Sequence, residues 1–168
     1  MSAPTQATVT ASARIHAPAA RLYGILADYR LHHPHIVPTG YVRRLEVEAG
    51  GVGEGTRTLV ELRFLGTTRR VSHIIREPEP GRVLEEVDAD GLSRTSFVVE
   101  PTDDGESSTV TIRTTFTVRS GLLGAIERVL VAAVLRRMYA KELVLLGDYA
   151  TPPSHRPAAP TASAQGVY

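Results

Sequence analysis

The sequence predicts an α+β domain: a seven-stranded antiparallel sheet, with two short helices after the first strand and a long helix at the C-terminus. Three observations predict it. Short blocks alternate apolar and polar residues and are separated by Gly, Pro and Asp, which is the pattern of strands joined by tight turns. Pro18 is followed by Leu22, Ile25, Leu26 and Tyr29 at helical spacing. Residues 121–149 then run without a proline and with apolar residues three and four apart.

The elements follow in order. Val9, Ala11, Ala13 and Ile15 alternate with Thr8, Thr10, Ser12 and Arg14, a strand with one buried face. An amphipathic helix starting near Pro18 reaches about Asp28, and the His32-His33-Pro34-His35 segment holds at most one helical turn between its prolines. Tyr41, Arg43, Leu45 and Val47 share one face of the next strand, and a Gly50–Gly55 turn leads to a strand with Thr58, Val60, Leu62 and Phe64 inward. Gly66-Thr67 opens a strand ending near Arg76, and Pro78-Glu79-Pro80-Gly81 is a turn in which proline presets φ and glycine accepts positive φ. Val83–Val87 forms a strand, and Thr95, Phe97 and Val99 alternate in the one after it. The last strand is the most regular, with Val110, Ile112, Thr114, Phe116 and Val118 on one face and Thr109, Thr111, Arg113, Thr115 and Thr117 on the other. Short turns make these strands antiparallel neighbours. Ser120 is placed to cap the final helix. Leu123, Ile126, Leu130 and Val134 form one stripe of that helix, and Met138, Leu145, Leu146 and Tyr149 another. Its first half is apolar over most of its circumference, which predicts burial on more than one side.

Composition narrows the function. The 168 residues carry 19 basic and 18 acidic side chains, so overall charge demands neither nucleic acid nor an anionic surface. The chain has no cysteine, which excludes disulfides, thiolate metal sites and a cysteine nucleophile, and fits a reducing cytoplasm. The most apolar stretch, Leu122 to Leu135, contains Glu127 and Arg128 and is too short to span a bilayer. One domain over 7–150 is expected, with a flexible lead at 1–6 and a disordered Pro/Ala-rich tail at 151–168. The Gly50–Gly55 stretch lacks the Gly-Lys-Ser/Thr ending of a phosphate loop and joins two strands, which argues against nucleotide binding.

The order of elements over about residues 7–149 resembles the START-like, helix-grip superfamily, also labelled SRPBCC or polyketide cyclase/dehydrase-like. Three segments carry the resemblance: Ile15-His16-Ala17-Pro18 with Leu22-Tyr23-Gly24-Ile25-Leu26-Ala27-Asp28-Tyr29, then Gly53-Glu54-Gly55-Thr56-Arg57, and Glu77-Pro78-Glu79-Pro80-Gly81-Arg82-Val83-Leu84. It implies a sheet curved around the C-terminal helix with a cavity between them. In the family such cavities hold lipids, sterols or polyketides, and some members are cyclases or aromatases. Fold does not decide among these.

Candidate site residues follow from that cavity. His33 and His35, with His32, are acid/base or cation candidates at its mouth, or solvated loop residues. A zinc site would need further ligands, and Pro34 restrains how the three imidazoles converge, so no metal and no other cofactor is expected. His73 enters the cavity if Val71 and Ile75 face inward, and faces solvent if Ser72 and Ile74 do. Glu85 shares parity with Val83 and Val87; on an inward face it is an acid with raised pKa, on a twisted edge it is exposed. Arg43 raises the same question. Tyr23, Tyr29, Tyr41 and Tyr139 offer apolar bodies with a polar tip for a ligand, and Thr58, Thr95 and Thr114 offer hydroxyls; core packing is the alternative for each. Arg136, Arg137 and Lys141 are a small basic group that suits either an anionic headgroup or solvent. The leading functional expectation is a carrier or sensor for a small hydrophobic molecule. The competing one is a cyclase, aromatase or dehydratase acting through histidine or carboxylate, and a protein-partner role is a third.

Overall fold

Strand alternation and short turns produce one sheet in the order β1-β7-β6-β5-β4-β3-β2, with every pairing antiparallel. The computed structural model describes residues 5–64 and 66–151, with the side chain of Phe64 left aside. Residues 152–168 of the expected tail and the first four residues of the expected lead lie outside the described residues. The elements are β1 (Thr5–Ile15), α1 (Ala19–Ala27), a 3₁₀ turn (His33–His35), β2 (Val42–Ala49), β3 (Arg57–Phe64), β4 (Thr67–Glu79), β5 (Val83–Asp88), β6 (Ser93–Pro101), β7 (Ser108–Val118) and α2 (Gly121–Ala150). β1 already includes Thr5 and Gln6, which pair with Val118 and Thr117. The second of the two expected short helices is only the single 3₁₀ turn, because Pro34 and Pro38 leave no room for more.

The sheet forms a curved half-barrel, and α2, roughly 45 Å long, lies along its concave side. Period-two burial is nearly complete in β7, where Val110, Ile112, Thr114, Phe116 and Val118 are buried and the intervening residues are not. Val9 meets Thr114 and Phe97 meets Ile112 across the sheet, so three strands build one apolar surface. Leu22, Leu26, Tyr29, Ile36, Ile75, Leu84 and Leu146 complete the core with almost no exposure. Each such leucine or isoleucine contributes about 1.5–3 kcal/mol by leaving water.

Two features position the site. The end of α1 is tied to the β2–β3 turn: the Tyr29 N–H donates to the Gly51 carbonyl at 2.9 Å, and the Gly53 N–H donates to the Ala27 carbonyl at 3.0 Å. Gly53 has φ +61°, and a Cβ there would collide with the Glu77 carboxylate, so glycine is required on both counts. This fastening holds α1 and the histidine turn over the sheet. Second, the C-terminal half of α2 buries Tyr139, Glu142, Leu143 and Leu146 against the sheet.

The N-terminal half of α2 departs from expectation. Ser120 stands at the N-cap but its side chain makes no cap hydrogen bond. Leu123, Ile126 and Leu130 are exposed, and Val134 is only half-buried, so most of this stripe is left uncovered by the described residues. Apolar residues on all sides predict a core helix, but here the sheet supplies a surface on one side only.

Candidate functional site

The curved sheet and α2 enclose a cavity of about 660 Å³, partly open to solvent. Its walls are apolar over much of their area: Leu45 and Val60 from β2 and β3, Val71 from β4, Phe97 and Phe116 from β6 and β7, and Val131, Leu135 and Met138 from α2. That volume suits a small organic molecule. Exposed Arg63, Arg69 and Arg70 stand at the open end on β3 and β4, and Leu92, from the β5–β6 turn, also lines the cavity and is 56% exposed.

The buried end is polar. His33 is 2% exposed, and its Nδ1 lies 2.7 Å from the Leu26 carbonyl. A carbonyl only accepts, so Nδ1 carries the hydrogen and the neutral ring presents the Nε2 lone pair. Nε2 lies 3.8 Å from Glu86 Oε1. The Tyr29 hydroxyl donates to the same oxygen at 2.7 Å, and the Tyr29 ring stacks on the imidazole with centroids 4.3 Å apart. Burial lowers the His33 pKa, outweighing the opposing Glu86 charge, and keeps the ring neutral. The Tyr29 pKa is raised by burial and by Glu86, which fixes its hydroxyl as a donor.

Glu142 reaches this cavity from α2 and is 6% exposed. Burial first, and the Glu86 charge second, push its pKa up to about 8, so at neutral pH it is mostly a carboxylic acid able to donate. Beside it, the Thr95 and Thr114 hydroxyls lie 2.8 Å apart, and Thr114 is hydrogen-bonded to the Tyr139 hydroxyl. Tyr139 is held protonated, mainly by burial. The cavity therefore has a neutral imidazole, a buried acid, a carboxylate and a run of hydroxyls at its inner end.

His73 and Asp88 form a second pair, with Nε2 to Oδ1 at 3.1 Å. Burial alone would lower the His73 pKa, but the Asp88 hydrogen bond and the Glu86 charge raise it overall. His73 Nδ1 and Thr58 Oγ1 are buried without hydrogen-bond partners among the described residues, and the two residues face each other across β3 and β4. Such atoms are satisfied when a guest hydroxyl or a water reaches them.

The sequence candidates fall into separate places. His33, Tyr41, His73, Thr95, Thr114 and Tyr139 line the cavity. Tyr29 stands behind His33, and Thr58 is buried next to His73; neither forms a wall. Tyr23 lies away from the cavity, donating to Glu77 Oε1 at 2.6 Å and locking α1 to β4. His35 is exposed and stacks on Tyr149, whose hydroxyl is 3.0 Å from His32 Nδ1. Glu85 is a correction of one residue. It points to the sheet face opposite the cavity, 3.8 Å from Arg94, while Leu84, Glu86 and Asp88 point inward. Arg43 is exposed, at a register irregularity between Val42 and Arg44 that breaks the face shared with Leu45.

Glu86, Asp88 and Glu142 are the site residues that sequence reasoning missed. β5 carries apolar residues on both parities, so alternation alone does not orient it. Glu142 did leave a mark: it stands three residues after Tyr139 and four before Leu146, in the middle of the buried stripe.

The polyketide cyclase / dehydrase and lipid transport family model matches residues 6–151. No curated protein matches the chain. Among solved structures, the KanY protein is 24% identical with a TM-score of 0.75, covering 87% of this chain and 98% of its own. The Zhui aromatase/cyclase from Streptomyces sp. R1128 is 19% identical with a TM-score of 0.71, covering 87% of this chain and 94% of its own. A START superfamily protein from Mycobacterium smegmatis is 14% identical with a TM-score of 0.65, covering 84% and 96%. These likenesses establish a shared fold, and the family match over nearly the whole described chain establishes more: this protein belongs to the polyketide cyclase/dehydrase and lipid transport family.

Proposed function

We propose that this protein binds a small hydrophobic molecule bearing oxygen functions, lipid or polyketide-like, between sheet and α2, as a carrier or sensor. The observation that carries this reading is the cavity itself, about 660 Å³ with apolar walls and a polar inner end. A wholly aliphatic guest would leave the acid of Glu142, His33 Nε2 and the hydroxyl run facing hydrocarbon, which is costly. A ligand with a carbonyl or hydroxyl at one end satisfies them. Native mass spectrometry of gently purified protein, followed by thermal-shift screening of fatty acids, sterols and aromatic polyketides, tests this. A retained or stabilising apolar ligand is expected, and its loss in Val71→Trp, which fills the cavity from β4. The absence of any bound species or shift would defeat the reading.

One arrangement favours a second reading, a cyclase or aromatase-type enzyme. A neutral imidazole and a buried acid facing one apolar cavity suit proton transfer. In such a step His33 Nε2 takes a proton from the carbon beside a ketone. The enolate oxygen is held by the Glu142 proton. The carbon then attacks a second carbonyl of the same substrate, and the alkoxide so formed takes the proton back from the His33 imidazolium, which returns to the neutral ring. Cyclisation of a poly-β-ketone surrogate, assayed with parent and His33→Gln, decides it. Turnover lost in the variant, with ligand binding kept, is expected of the enzyme; equal turnover removes this version.

A further inference from the structure

The outward face at the start of α2 is apolar and is left uncovered by the described residues. Leu122, Leu123, Ile126, Val129 and Leu130 are 79, 76, 51, 63 and 46% exposed. At helical spacing they occupy an arc of about 120°, which Ala133 continues. A contiguous stripe of this kind marks an interaction surface. The charges around it run one way. Between positions 119 and 142 stand Arg119, Arg128, Arg136, Arg137 and Lys141, against two carboxylates. Of these, Glu127 lies 3.4 Å from Arg119 Nε, and Glu142 is buried in the cavity.

We propose that this face docks on the surface of an anionic lipid bilayer. The leucines, Ile126 and Val129 enter the boundary between headgroups and acyl chains, and the arginines at either end take the phosphates. Charge selects this occupant. A second copy of the same face would oppose the four cations outside the Arg119–Glu127 pair with four more and no free carboxylate between positions 119 and 142, and a neutral apolar partner would leave those cations unmatched. The helix lies on the membrane; among the described residues none is long and apolar enough to cross one. The next quadrant of α2 carries Glu127, Val131 and Leu135, which line the cavity, and exposed Leu92 stands at its open end. Docking therefore brings that opening to the lipid. This last consequence rests on the ligand-binding reading; the docking itself does not.

Co-sedimentation of the full chain with vesicles tests the proposal. Vesicles of two parts phosphatidylcholine to one part phosphatidylglycerol should bind the parent, and phosphatidylcholine alone should bind it far less. Leu123→Asp with Leu130→Asp should weaken binding about a hundredfold, the loss of two leucyl side chains from the apolar layer. Arg136→Gln with Arg137→Gln should weaken it about thirtyfold on the anionic vesicles. Circular dichroism verifies that each variant folds. Because the chain lacks cysteine, Leu123→Cys carrying a polarity-sensitive fluorophore gives an independent reading, a blue shift on anionic vesicles only. Failure of the parent to bind anionic vesicles overturns the proposal, as does a concentration-dependent dimer that Leu123→Asp with Leu130→Asp dissociates. A parent that binds vesicles but no apolar ligand upholds the docking and removes the cavity reading. One that binds ligand but no vesicle does the reverse.

Discussion

Replacing Glu142 by glutamine removes the titration of a buried acid while keeping its shape and most of its hydrogen-bonding capacity. The glutamate ordinarily titrates near 4.5 and is pushed up to about 8 in the fold, by burial and then by the Glu86 charge. Between these values the folded chain holds a proton that the unfolded chain has released. Stability from this group is therefore fully present below pH 4.5, falls as pH rises, and is gone above about 8. The displacement corresponds to about 5 kcal/mol across the window at about 1.4 kcal/mol per pH unit, an upper scale because solvent entry and relaxation reduce it. Glu142→Gln has no such term. Its stability relative to the parent should thus rise from pH 4.5 to pH 8 by several kcal/mol and then level off. His33 and His73 titrate in both proteins and cancel in the difference. Urea unfolding at a series of pH values, followed by far-UV circular dichroism because the chain has no tryptophan, measures it. Glu86→Gln, which removes the secondary cause, should narrow the window without abolishing it. Parallel stability curves for parent and Glu142→Gln would refute the claim that Glu142 is a buried, neutral acid.

Other outcomes follow from the same geometry. Tyr29→Phe takes the hydroxyl from Glu86 Oε1 and should cost about 1–3 kcal/mol in urea unfolding, with His33 still stacked. His33→Ala strips the Leu26 carbonyl of its donor and opens a hole beside Tyr29 and Phe97; a loss of about 2–4 kcal/mol is expected by the same assay. Gly124→Ala places a Cβ onto the Arg119 carbonyl where β7 turns into α2, so a lower melting temperature should appear together with reduced helical circular dichroism. Glu85→Gln, on the sheet face opposite the cavity, should leave ligand affinity unchanged, unlike a substitution at Glu86.

What the sequence by itself determined is the set and order of elements. Period-two alternation in β1 and β7, the proline and glycine turns, and the unbroken helical run at the end are local properties, and each acts over a few residues. The inward faces of β1, β3 and β7 were legible for the same reason, since one parity there holds nearly all the apolar side chains. Tertiary structure decided the rest. Whether Glu85 or Glu86 faces inward depends on how β5 pairs with β4 and β6, because both parities of β5 carry apolar residues. Among three neighbouring histidines, only His33 is buried, because the 3₁₀ turn presents one of them to the core and the others to Tyr149. The apolar first half of α2 suits a core as well as an interface. Its exposure became visible only when the sheet proved to cover one side of it, since burial is a property of what a residue meets and not of the residue itself.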